Sequence, residues 1–349
     1  MRTSHSVALP LALIAAALLS ASCDNSVGLF ASIQEETKQN GSSPFEEAAV
    51  SRAFRYNGAY YAQQAKLRSR AVGSDSWSVV PINGSKDYTC FSVAGNGDTA
   101  YYVSLENASG GNVVYRYDGS WTALDTSAFP ADSVADNLFF VNGYLFAECH
   151  ENYSNADDEN DDRYTLYYSF GGSAFTKVGA ADELTSLSAP FVGAAYYGTT
   201  YYCATSSTVY SFTAVTGTVA AVTGPSGTFT CLAYSSVANA LYVGTDSDKL
   251  WQYDGSSWAS TSPFDSHEPV TAVVEVGSSS SHLLVGVGFK SSYSTEGGYY
   301  EGSFSSLGYG DDGAVAHSSS VFDTTVYGTA VNSFFWDGSA NTLFVCVSP

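Results

Sequence analysis

Tyr88-Thr-Cys-Phe-Ser-Val93, Ala100-Tyr-Tyr-Val103 and Val114-Tyr-Arg-Tyr-Asp-Gly-Ser-Trp121 return as Phe229-Thr-Cys-Leu-Ala-Tyr234, Ala240-Leu-Tyr-Val243 and Leu250-Trp-Gln-Tyr-Asp-Gly-Ser-Ser-Trp258. Each copy reads as four short β runs separated by turn residues. Asp118-Gly119 and Asp254-Gly255 are two-residue hairpin signals, because Asp and Gly tolerate positive φ. The same unit recurs at 52–80, 88–124, 138–178, 189–222, 229–261 and 270–307. Its last run is expected to end at Trp77, Trp121, Phe175, Val219, Trp258 or Phe304, at intervals of 44, 54, 44, 39 and 46 residues. Repeats of ~40–50 residues with four strands each describe propeller blades. One blade cannot bury its own apolar face, and closing a ring buries every face against a neighbour.

A seventh, partial unit holds two runs, Val331-Asn-Ser-Phe-Phe-Trp336 and Thr342-Leu-Phe-Val-Cys-Val347. The expectation is an all-β chain with one β-propeller domain over residues 51–349. Seven blades are expected, the last borrowing one or two strands, such as Val27–Ile33, from the N-terminal side. The alternative is six blades with an extra C-terminal hairpin. Composition agrees with this class: 26 Tyr, 32 Gly and a single Met favour strands punctuated by glycine.

The beginning of the chain carries a targeting signal. Arg2 is followed by an apolar run from Ala8 to Leu19, and Ser20, Ala21 and Ser22 precede Cys23. Such a run has the length of a signal h-region and is too short to cross a bilayer. Residues 1–22 are therefore read as a lipoprotein signal peptide, with Cys23 as the lipidated first residue of the mature chain. The alternative is a secretory signal cut near Ala21. Each buried methylene of the lipid contributes about 0.8 kcal/mol to anchoring. Residues 23–50 are read as the lipidated Cys and a flexible tether, rich in Ser, Asn, Gln and Glu.

With 13 basic and 34 acidic residues the net charge is −21. That excludes a nucleic-acid partner or an anionic lipid surface as ligand. Arg52, Arg55, Lys66, Arg68, Arg70 and Lys86 cluster early. The cluster reads as a solvated strand face, with a local patch for an acidic partner as the alternative. Cys90, Cys149, Cys203, Cys231 and Cys346 lie in apolar strand-like runs and are expected to pack as free thiols. Five cannot all pair internally.

The signal ending in Cys23, the Ser-rich segment after it and the Tyr117-Asp-Gly-Ser-Trp121 type of blade together resemble a family of treponemal, that is spirochaetal, lipoproteins. Ser20 stands where the usual lipobox has Leu, as in spirochaetal signals. The resemblance covers the whole chain and implies a lipid-anchored outer-membrane propeller. At least one relative is an adhesin for fibronectin and laminin, so the resemblance also implies a protein partner of that kind. There is no regular Gly-His and Trp-Asp pair of the WD40 type, and the Gly-Gly pairs at 110–111, 171–172 and 297–298 share no blade position.

The search for chemistry is short. His150, His267, His282 and His317 have no metal-ligand spacing and read as surface or edge histidines. Gly95-Asn-Gly-Asp-Thr-Ala100 matches a dinucleotide fingerprint by letter but joins two strands, so it is a hairpin loop. There is no Gly-x-Ser-x-Gly elbow. The acidic run Asp157-Asp-Glu-Asn-Asp-Asp162 lies between the second and third runs of the third blade. It reads as a solvated loop. The alternative is a Ca²⁺ loop with Asp157, Glu159 and Asp161 as oxygen ligands. No other cofactor and no catalytic residue is expected.

The leading functional expectation is a surface-exposed, non-enzymatic binding protein, an adhesin for a host extracellular-matrix protein, held on the outer membrane by its lipid. The alternatives are a periplasmic scaffold for outer-membrane protein assembly and a glycan-active enzyme at the central funnel. Oligomeric state is left open.

Overall fold

The computed structural model describes residues 49–348 except 75, 98, 110, 152–161, 237, 265–267, 277–281, 289–297, 310–329 and 341. Residues 1–48, and with them the signal, Cys23 and Val27–Ile33, lie outside the described residues.

Among the described residues, twenty-six strands form six four-stranded antiparallel meanders and one two-stranded sheet. Blade one holds β1 (Arg52–Tyr56), β2 (Ala59–Gln63), β3 (Leu67–Ala71) and β4 (Ser78–Val79). Blade two holds β5 (Tyr88–Asn96), β6 (Ala100–Asn107), β7 (Asn112–Tyr117) and β8 (Trp121–Ala123). Blade three holds β9 (Ser133–Val141), β10 (Tyr144–Glu151), β11 (Arg163–Phe170) and β12 (Thr176–Lys177). Blade four holds β13 (Phe191–Tyr197), β14 (Thr200–Thr205), β15 (Val209–Phe212) and β16 (Ala220–Ala221). Blade five holds β17 (Phe229–Ser235), β18 (Ala240–Thr245), β19 (Leu250–Tyr253) and β20 (Trp258–Thr261). Blade six holds β21 (Val270–Val276), β22 (His282–Val287), β23 (Gly298–Ser303) and β24 (Ser306–Tyr309). Among the described residues β25 (Ala330–Asp337) pairs only with β26 (Thr342–Ser348).

The first strand of each sheet packs against the first strand of the next, and β25 packs against both β21 and β1, so the first strands line the axis of a closed ring. The chain is a β-propeller of four-stranded blades. Six blades are complete, the count of the alternative reading, and the two-stranded sheet stands in the seventh place of the ring.

The order within a blade follows from local chemistry. Asn57-Gly58 joins β1 to β2 and Asn142-Gly143 joins β9 to β10, with φ of 45° and 74° in the first turn and 47° and 85° in the second. Positive φ at both central residues gives the primed turn whose twist matches a hairpin. The second strands are buried along most of their length, as in Ala100-Tyr-Tyr-Val-Ser-Leu105 of β6 and all six residues of β18. A second strand is covered on each face by a neighbouring blade, and so reads as a continuous apolar run rather than an alternation.

Six apolar clusters fill the six seams from blade one round to β25. Examples are Phe54, Leu67, Tyr88 and Tyr101 between blades one and two, and Phe146, Leu166, Phe191 and Phe212 between blades three and four. Each such side chain contributes roughly 1.5–3 kcal/mol by leaving water.

Three expectations need correction. The Asp-Gly hairpins are not two-residue turns. Tyr117 pairs with Trp121 across three residues and Tyr253 with Trp258 across four. Asp254 Oδ1 accepts from the amides of Ser256 and Ser257, which gives the longer loop its shape. Secondly, the marker residues open the fourth strand instead of ending it: Trp121 and Trp258 are first in β8 and β20, and Phe175 directly precedes β12. Thirdly, the early basic cluster is not a solvated face. Arg70 is buried and stacks over the rings of Tyr60, Trp77 and Phe344. Arg55 and Arg52 serve ring closure and the ring axis.

Candidate functional site

Six of the seven first strands carry a register shift against their second strand, a β-bulge of one extra residue: Phe91, Asp136, Val192, Thr230, Thr271 and Asn332. The residue after each bulge is Ser92, Asn137, Gly193, Cys231, Ala272 or Ser333. These are small or short because the position abuts the next blade. A Cβ on Gly193 would lie 2.8 Å from Leu232. Ser92 Oγ uses the same closeness to accept from Leu138 N at 2.9 Å. The matching residue of blade one, paired with Gln63 on β2, is Arg52.

With no room beside the neighbouring blade, the Arg52 side chain crosses the first strands of two blades. Its Nη1 donates to Val93 O on β5 at 3.2 Å and to Leu138 O on β9 at 2.6 Å. The guanidinium carbon sits 5.3 Å from the centre of the Phe139 ring, a cation–π distance. Among the described residues the hydrogen bonds of Arg52 are made by Nη1, and Nε and Nη2 have no partner. Arg52 lines a cavity of about 260 Å³ between the first strands of blades one to four, together with Phe54, Leu138, Phe139, Phe140 and Ala194 among others. Arg52 is the one titratable side chain among the described residues of that lining.

Glu148 on β10 is buried, and its charge and that of Arg52 interact. It accepts from Phe191 N through Oε2 and from Asn137 Nδ2 through Oε1 at 3.4 Å. Burial raises its carboxyl to about 8; those two bonds and the charge of Arg52 offset part of the rise, and Asp136 adds to it. Burial likewise lowers the Arg52 pKa, against the pull of Glu148, yet a guanidinium keeps its proton at neutral pH. Near pH 7 the positive charge of Arg52 thus faces a largely neutral Glu148.

A second cluster lies on blade three. His150 is half-buried rather than a free edge residue. Its Nδ1 is 2.9 Å from Asp136 Oδ2, and its ring stacks on Tyr164 at 4.7 Å. Nε2 comes within 3.1 Å of Asp162 Oδ1, an ion-pair distance without hydrogen-bond geometry. Burial raises the Asp136 pKa, partly offset by His150. Elsewhere His282 Nε2 is 2.9 Å from buried Glu301, and Tyr300 donates to buried Glu268 at 2.7 Å. Among the described residues no group of three or more His, Cys, Asp and Glu is arranged to hold a metal.

Of the residues singled out from sequence, Cys23, the Ca²⁺ candidates Asp157, Glu159 and Asp161, and His267 and His317 lie outside the described residues. The acidic run does join β10 to β11, as expected. All five other cysteines are free and buried. Gly95 lies in β5, so the Gly-x-Gly run is a strand end and turn. Arg52 was visible in sequence only as one member of a basic cluster; aligning the seven first strands would have marked it, since its counterparts are all short or small.

No known family model matches the chain, and no curated protein matches it. Among solved structures it is similar to the extracellular domain assigned to a hybrid two-component system of B. thetaiotaomicron, with a TM-score of 0.58 and 14% identity over 87% of this chain. The chain spans 37% of that longer one. It is also similar to YCF48 bound to D1 peptide, with a TM-score of 0.57 and 10% identity over 86% of this chain and 89% of that one. YCF48 from Cyanidioschyzon merolae gives 0.57 and 9% identity over 86% and 93%. At these identities the likeness is one of fold, and the fold is the β-propeller.

Proposed function

We propose that the mature chain is a lipid-anchored, non-enzymatic binding protein of the outer membrane, exposed at the surface, whose partner is a host extracellular-matrix protein such as fibronectin or laminin. The observation that carries the anchored half of this reading is Cys23, placed directly after the apolar run Ala8–Leu19 and three small residues. The binding half is supported by the Arg52 cavity, where one fixed cation stands in an apolar, aromatic wall. That is recognition chemistry: the wall supplies burial and the charge supplies orientation. A glycan-active enzyme at the funnel would instead use carboxylates or histidine there. YCF48 has been solved with a peptide bound, so this fold accommodates such a ligand; its likeness to the present chain extends to fold alone.

Protease treatment of intact cells, with a periplasmic protein as control, tests the location. Cleavage of this protein while the control survives supports surface display. Protection until the outer membrane is broken would replace the adhesin by a periplasmic assembly scaffold. Purified mature protein is expected to bind immobilised fibronectin or laminin at micromolar concentration, and absence of saturable binding would overturn the proposed partner.

A further inference from the structure

We propose that the cavity at Arg52 is a carboxylate-binding site, in which Nε and Nη2 of Arg52 hold the two oxygens of a carboxylate whose apolar body rests on Phe54, Phe139 and Phe140. This names the ligand chemistry of the site just described and rests on the reading of the ring as a binding protein. Three observations converge. Nη1 is tied to Val93 O and Leu138 O, which fixes the plane of the guanidinium, while the Nε and Nη2 donors are unspent among the described residues of a side chain that lines the cavity. Adjacent Nε–H and Nη2–H groups point in parallel, the fork that matches a carboxylate bidentately. The position is occupied by short or small residues in the other six first strands, so the fold does not demand a long cation there. Finally, Glu148 is largely neutral near pH 7 and leaves the charge of Arg52 available. A strongly acidic chain repels anions at long range, so the site selects a carboxylate carried on apolar surface, for which burial adds to the ion pair.

The carboxylate has two possible sources: a free small acid, or an acidic side chain or C-terminus of a protein partner. Calorimetry on the full mature chain with phenylacetate is expected to give saturable binding, and the neutral isostere phenylacetamide at least tenfold weaker binding. Arg52→Lys keeps the charge but loses the fork and is expected to weaken phenylacetate at least tenfold. Because Arg52 also ties three blades, Ala194→Met, which narrows the cavity without touching the Arg52 bonds, is the second variant; it is expected to abolish binding with an unchanged melting temperature. Equal affinity for acid and amide, or no saturable phenylacetate binding at millimolar concentration, would overturn the proposal. Competition with the matrix protein separates the sources. Displacement by phenylacetate assigns the carboxylate to the partner, and independent binding of both assigns it to a free acid. If phenylacetate binds and no matrix protein does, the site stands and the adhesin reading falls.

Discussion

Glu148 and the five buried thiols show what the ring does to single titratable groups. Glu148 has a folded-state pKa of about 8, against about 4.3 in an unfolded chain. A raised carboxyl pKa means that the folded state holds the proton more tightly. Its contribution is fully present below the unfolded value and is lost as pH rises through the folded one. Glu148→Gln, which cannot ionise, is therefore expected to gain stability relative to the parent as pH goes from 5 to 9, by up to a few kcal/mol. Urea unfolding at pH 5, 7 and 9 measures it, and parallel pH profiles would show that Glu148 titrates alike folded and unfolded. The thiols behave in the same sense. Burial raises Cys90, Cys149 and Cys231 to about 12 and Cys346 to about 11, and pushes Cys203 up as well. A thiolate is the reactive form, so an aromatic disulfide reagent is expected to titrate none of the five in native protein at pH 8 and all five in urea.

At the scale of the strand, the bulge and the short residue after it belong together. The bulge sharpens the bend of the first strand, and the short side chain lets the next blade approach. Second strands meet the same limit: a Cβ on Gly244 would lie 2.6 Å from Val270 and 2.7 Å from Cys231 Sγ. Gly244→Val is expected to cost about 1–3 kcal/mol of overpacking strain, read as a lower urea midpoint with an unchanged slope. Gly308, whose surroundings are open, supplies a control, and Gly308→Ala is expected to change the midpoint little. These devices mark how far the sequence was legible. Four runs per repeat were visible because turn residues punctuate apolar runs on a regular period, and the free cysteines were visible because Cys203 replaces valine in an otherwise repeated run. The bulges were not, because one extra residue shifts a two-residue period without leaving a turn signal. Asn57-Gly58 and Asn142-Gly143 are stronger two-residue hairpin signals than Asp118-Gly119, and the loop lengths follow that ranking. Arg52, Arg55 and Arg70 read as a surface cluster because the groups they meet lie up to 284 residues away, beyond any local pattern.

The whole molecule is a ring with one seam unlike the rest. Six seams hold apolar clusters, whereas the seam between β26 and blade one is closed largely by polar groups. Arg55 Nη1 lies 3.0 Å from Asp337 Oδ2, Tyr60 donates to the same carboxylate at 3.0 Å, and Ser339 donates to Oδ1 at 2.7 Å. Asn332 Nδ2 donates to Val50 O and Ser333 Oγ to Ser51 O, while Tyr60 packs on Phe344. Burial opposes ionisation of Asp337, but the bonds from Ser339 and Tyr60 and the charge of Arg55 outweigh it, so its pKa lies below the ordinary value. A depressed carboxyl pKa contributes stability above the unfolded value near 3.9, and that contribution is lost as pH falls through the folded pKa. Asp337→Asn keeps the shape and an acceptor for Tyr60 but removes the charge. It is expected to lower stability by about 1–3 kcal/mol at pH 7 and by less at pH 2, below the unfolded pKa, where the charge contributes less. If the deficit is the same at both pH values, the loss is one of packing and not of the charged clamp. Arg55→Met combined with Asp337→Asn should cost less than the two single changes together, since each alone strands the other's partner. Because a ring opens where its seam is weakest, amides of β1 and β25 are expected to gain exchange in Asp337→Asn before those of β10 or β14. Uniform acceleration around the ring would mean that the seven seams open as one.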